Sequence, residues 1–239
     1  MAMKDLEKND VDIKKLFTWS KEVLIYSDTQ EEPIKIYMRL VGDAEVNRAR
    51  VFALRKSAEL RKKLKDENSD EYFAYMVDSE NFDDDQLISY LVLENSRDLY
   101  QRIAKEIDVP KPKEPKSDAT VEEQEIYQLA IDEYPKKVHE AVVAKIKKEL
   151  ENIEENLRSK SREELYSIYK KAVINTICEA EMYSMFKAMC AFFGVYRDEE
   201  MTERFFENFE VFENLPTKVK NQFLTNYDSL ELGMDTLKK

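Results

Sequence analysis

Histidine, cysteine and glycine are almost missing from this 239-residue chain, which has one His, two Cys and three Gly. Each scarcity removes a class of chemistry. A di-iron helical bundle needs two Glu-x-x-His pairs; the single His139 has Lys136 three positions ahead of it. Structural zinc needs four close ligands, and Cys178 and Cys190 stand twelve apart. On one helix that spacing spans roughly 18 Å, too far for a disulfide between them, so a reducing compartment is expected. With only Gly42, Gly194 and Gly233, no Gly-rich phosphate loop, dinucleotide fingerprint or nucleophile elbow can be assembled. Nucleophilic catalysis would have to use His139 as its base, and no nucleophile lies near it in the sequence. No catalytic residue, metal ligand or cofactor site is therefore assigned. No 18-residue apolar run occurs and Met1 to Asp12 is polar, which predicts no membrane span and a cytoplasmic protein.

What the chain does have is charge and helical periodicity. Charged residues make up 37% and hydrophobic residues 43%, a mixture suited to amphipathic helices with solvated outer faces. The fold class expected is mainly α. A small α+β N-terminal part with a β-hairpin precedes a helical bundle that contains two long antiparallel helices. The hairpin is read from Val23–Tyr26 and the alternating Ile34–Leu40, flanking a polar Ser27–Pro33 turn. Because two strands are marginal in water, it should lie on a helix or pair with another chain's sheet. Asp43 is the expected N-cap of a helix to about Lys65, with Val46, Ala49, Ala53, Leu60 and Leu64 as its apolar stripe. Helices over Asp70–Val77 and Asp84–Ile107 follow.

Three of the six prolines fall in the segment 108–118, read as a linker between a front half, 1–107, and a bundle, 119–239. Capping boxes at Thr120/Glu123 and Ser161/Glu164 start the two long helices. Pro135 is expected to kink the first of them or split it, and Gly194 to stop the second. A last helix begins near Pro216 and runs through Tyr227, leaving a frayed tail. Asp78, Glu80, Asp83, Asp84 and Asp85 crowd oxygen ligands together but lack EF-hand spacing, and read as helix-start acids.

Two surfaces stand out as candidates for partner binding. From Asp43 to Lys65 the basic residues Arg48, Arg50, Arg55, Arg61, Lys56, Lys62, Lys63 and Lys65 face only three acids, in a chain of net charge −12. Such polarity lets one region attract what the rest repels: an acidic protein surface, the acidic back half of another copy, or nucleic acid. Only Phe52 is interleaved for stacking, so nucleic acid ranks last. The second surface is the aromatic stretch carrying Phe205, Phe206, Phe209 and Phe212, read as core with an apolar face left over for a partner helix or an oligomer.

Two stretches, Ile36–Arg50 and Phe212–Tyr227, resemble segments of phage-encoded proteins, the second being similar to the Pro-started terminal helix of phage tail assembly chaperones. The resemblance implies a non-enzymatic factor that binds repeated copies of a virion protein. The function expected is therefore assembly, scaffolding or chaperoning through a protein partner or a homo-oligomer. Two alternatives stand beside it. One is a helical enzyme or ligand sensor with a carboxylate pocket around Glu179 and Glu181. The other is a nucleic-acid-associated regulator using the basic helix.

Overall fold

A computed structural model of the chain describes residues 20–28, 31–76, 79, 81–97, 99–115 and 120–237. In chain order the elements are β1 (Ser20–Ile25), β2 (Ile34–Arg39), α1 (Asp43–Lys63), α2 (Asp70–Met76), α3 (Asp84–Ser96) and α4 (Leu99–Glu106). They continue with α5 (Val121–Arg158), α6 (Arg162–Gly194), β3 (Val195–Tyr196), α7 (Phe209–Glu213) and α8 (Thr217–Leu237). The chain is mainly α with a small antiparallel sheet, as the periodicity predicts.

The compact units divide the chain at other points than the proline-rich segment. One unit joins the stretch up to Asp66 with Thr176–Lys239, and the other is Glu67–Asn175. The prolines fall inside the second unit for a physical reason. The Tyr134 hydroxyl donates to the Val109 carbonyl at 2.9 Å, which ties the extended segment to α5; residues 116–118 lie outside the described residues.

In the first unit the hairpin pairs Val23 with Ile36 and Ile25 with Ile34. Alternation sends Val23, Ile25, Ile36 and Met38 into the core together. The helix expected beneath it is α8. There the Gln222 side-chain amide bonds both backbone groups of Tyr26, its Nε2 donating to the carbonyl at 2.7 Å and its Oε1 accepting from the N–H at 2.9 Å. β2 has its second neighbour within the chain, since β3 pairs Tyr37 with Tyr196 and Met38 with Val195. Gly42, with extended backbone, takes the N-cap position of α1 that was expected of Asp43. The α1 stripe turns inward as its spacing predicts, with Ala49, Ala53 and Leu64 almost wholly enclosed and Val46 and Leu60 half-buried.

Gly194 ends α6 for a different reason from the one its position suggests. No glycine among the described residues has a positive φ; instead a Cβ there would stand 2.6 Å from the Arg39 carbonyl oxygen. Close passage of β2 requires the missing side chain. The C-terminal segment expected to fray continues α8 to Leu237, and within it Leu230 is buried in the same core as Phe223 and Tyr227. Pro216 stands just before α8, its carbonyl accepting from Val219 and Lys220 N–H at 2.9 Å.

In the second unit α5 starts from the Thr120/Glu123 capping box and passes through Pro135 without splitting. Its neighbours there are α4 and α3. Leu99, Ile103 and Val142 are buried between α4 and α5, with Val138, Ile146, Leu150 and Ile153 packed around them. The helix expected over Asp84–Ile107 is broken. Asn95 and Ser96 turn their side chains back onto the Leu91 and Leu93 carbonyls, polar competition that ends α3. The acidic start of α3 behaves as helix-start acids do: Asp83 accepts from Gln86 N–H at 2.8 Å, while Asp84 and Asp85 pair with Arg162 and Arg158 at 2.7 and 2.8 Å. Asp78 and Glu80 lie outside the described residues.

Candidate functional site

The two surfaces read from the sequence meet different fates. Phe206 and Phe212 are buried, and Phe205 and Phe209 are half-buried against the same core. Phe206 lies edge-on to Phe212 at 5.2 Å and to Phe223 at 5.3 Å, and Phe209 edge-on to Phe52 at 5.0 Å. These contacts stabilise the first unit by burial and by ring geometry. Phe206 and Phe212 are enclosed in the core, and Phe205 and Phe209 keep part of their rings exposed at its edge.

The basic helix remains available. Arg48, Arg50, Arg55, Lys62, Lys63 and Lys65 are exposed, while Lys56 and Arg61 are half-buried. Two of them lie over rings of the unit's own core: the Arg48 guanidinium is 5.5 Å from the Phe193 centroid and the Lys56 ammonium 5.6 Å from that of Phe52. Between the cations, Val51 and Leu54 are 50% and 51% exposed, an unusual placement for apolar residues on so charged a helix. The solvent face of α1 thus combines a basic rim with an apolar centre.

That face leads into an open groove of about 580 Å³ between α1 and α6, lined by Leu54, Ser57, Ala58, Arg61, Lys62, Lys65, Cys178, Glu179 and Met182. Its walls are joined by the Ser57 hydroxyl, which donates to the Cys178 carbonyl at 2.8 Å. Burial pushes the Cys178 thiol pKa up against the opposing pull of Arg61, so the sulfur is held as thiol rather than thiolate. Glu179 is exposed at the rim and Glu181 is half-buried. The carboxylates expected to define an enclosed pocket border solvent instead. His139 is exposed on α5, and among the described residues no group of three His, Cys, Asp or Glu comes together.

The ion cluster that fixes the N-terminus of α1 was not legible in the sequence. Glu45, buried to 8% exposure, accepts two bonds from the Arg39 guanidinium at 2.9 Å each and one from Arg204 at 2.8 Å. The Gly42 N–H adds a fourth donor at 3.2 Å. Burial alone would raise the Glu45 pKa, but the bonds from Arg39 and Arg204 outweigh it and the carboxyl lies below its ordinary range. Arg39 also donates to the Tyr196 hydroxyl at 2.7 Å, and Arg204 lies 4.6 Å over the Tyr196 ring. The one local signal was Glu45 three residues after Gly42, a capping-box position; Arg204 is 159 residues away.

Among the described residues no helix is long and apolar enough to cross a membrane. Comparison of the chain with protein-family models, curated proteins and solved structures finds no match.

Proposed function

We propose that this protein is a non-enzymatic assembly, scaffolding or chaperone protein, and that α1 is its docking face for an acidic, partly apolar segment of a protein partner. The observation that carries this reading is the exposed Val51 and Leu54 inside a rim of Arg50, Arg55, Lys62 and Lys65. A bare nucleic-acid face would not need the apolar centre, whereas an amphipathic acidic helix fits both parts. The groove extends the same chemistry, with Met182 as an adaptable apolar wall beside Arg61 and Lys62. The resemblance of Phe212–Tyr227 to tail assembly chaperones points to the same kind of work, possession of a partner rather than of a substrate.

The test is site-specific photo-cross-linking from Leu54 in the native cell, with the cross-linked residues mapped by mass spectrometry. The expected result is one recurrent partner joined through an acidic segment, its yield falling by about tenfold in an Arg50→Glu/Arg55→Glu/Lys62→Glu variant that keeps its melting temperature. Cross-links no more frequent than from the exposed control Leu93 would overturn it. So would cross-links to nucleic acid, which would transfer the face to the regulator reading.

A further inference from the structure

The outer face of α5 carries a second pattern, which the described residues leave exposed. Opposite the stripe packed on α4, the positions Glu122, Ile126, Leu129, Glu133, Lys136, Glu140, Val143 and Lys147 recur at alternating spacings of four and three, and every one is exposed. Alternation of that kind has the spacing of a heptad seam, with Ile126, Leu129 and Val143 as its apolar members. Ile126 and Leu129 are 62% and 64% exposed, large apolar side chains left in water. Among the described residues the ion pairs of the seam stay within α5: Lys136 and Lys147 stand 3.9 Å from Glu140 and Glu151 one turn on, and Glu133 stands 3.0 Å from Lys137. Exposed pairs of this kind contribute little.

We propose that α5 pairs with α5 of a second copy of this chain, antiparallel, about a two-fold axis between Tyr134 and Pro135. The register follows from the residues. Turning the seam about that point places Ile126 on the partner's Val143, Glu133 on the partner's Lys136 and Glu122 on the partner's Lys147, and each pair occurs twice by symmetry. Beside the seam, Asp132 faces the partner's Lys137. Leu129 meets the partner's Glu140, whose methylenes cover it while the carboxylate stays in water.

Charge selects the direction. Five acids and no base lie between Val121 and Pro135, and five lysines against two glutamates between Lys136 and Glu149. A parallel pair would stack acid on acid and lysine on lysine, whereas the antiparallel pair brings each block against its opposite. The occupant is therefore another copy of the same helix rather than an unrelated apolar segment.

Sedimentation of the full chain over about 1–100 µM tests this, since a seam of this length with two apolar pairs belongs in the micromolar range. The wild type is expected to dimerise. Glu133→Lys and Lys136→Glu each create a doubled like-charge contact and weaken the dimer by about tenfold or more, and the double swap restores it to within about threefold. Ile126→Asp abolishes it. All three substituted positions lie on an exposed face, and an unchanged melting temperature of the monomer confirms that each variant folds. A monomer at every concentration, a dimer indifferent to these substitutions, or a double swap that fails to restore it overturns the proposal.

Discussion

Glu45 is one carboxylate with four donors around it, and its removal has a computable sign. Glu45→Ala leaves Arg39 and Arg204 facing each other without their shared acceptor and is expected to cost about 3 kcal/mol in urea denaturation. The pH dependence follows from the lowered pKa. In the range just below the ordinary carboxyl value of 4.5, the unfolded chain binds a proton that the folded chain does not, so stability rises with pH there. The Glu45 contribution is complete above that value and is lost as pH falls through the folded pKa. Wild type minus Glu45→Gln, measured from pH 6 down to pH 3 at about half-unit steps, isolates it; a difference that stays constant across the range contradicts the assignment. Gly194 belongs to the same scale. Its position suggests a helix stop, but what it serves is the close passage of the Arg39 carbonyl, a long-range fact that no local pattern carries.

At the scale of elements, the hairpin, the α1 stripe and the two capping boxes were legible because each is a local pattern of period or spacing. The break between α3 and α4 was missed because polar side chains returning to carbonyls leave the apolar period intact across the gap. The candidate site divides the same way. The basic face of α1 is written in consecutive residues, whereas the burial of Phe206 and Phe212 depends on contacts with Phe223 that only the tertiary fold supplies. α5 offers a further test. Pro135 inside the helix withholds one N–H from the Ile131 carbonyl. Pro135→Ala is expected to gain about 1–2 kcal/mol after the added freedom of the unfolded chain is subtracted. Hydrogen exchange of amides 131–139 should slow; unchanged rates would mean that the helix already accommodates the ring without loss.

For the whole molecule, the two compact units have separate cores. Phe212 is fully buried in one and Ile103 in the other. Ile103→Ala should cost about 2–5 kcal/mol and speed exchange across α4 and the middle of α5 while leaving β1 and β2 protected; Phe212→Ala should do the reverse. Exchange that rises equally in both units after either change would show a single cooperative block.

The interleaving of the units also orders events in time. The stretch Glu67–Asn175, about 110 residues, is translated between the hairpin and the α6 and α8 residues that cover it. At about 5–20 residues per second, that stretch alone keeps the inward face of Ile36 and Met38 uncovered for roughly 5–20 s. During synthesis the inserted unit can close first, while the unit that begins the fold is among the last parts of it to finish.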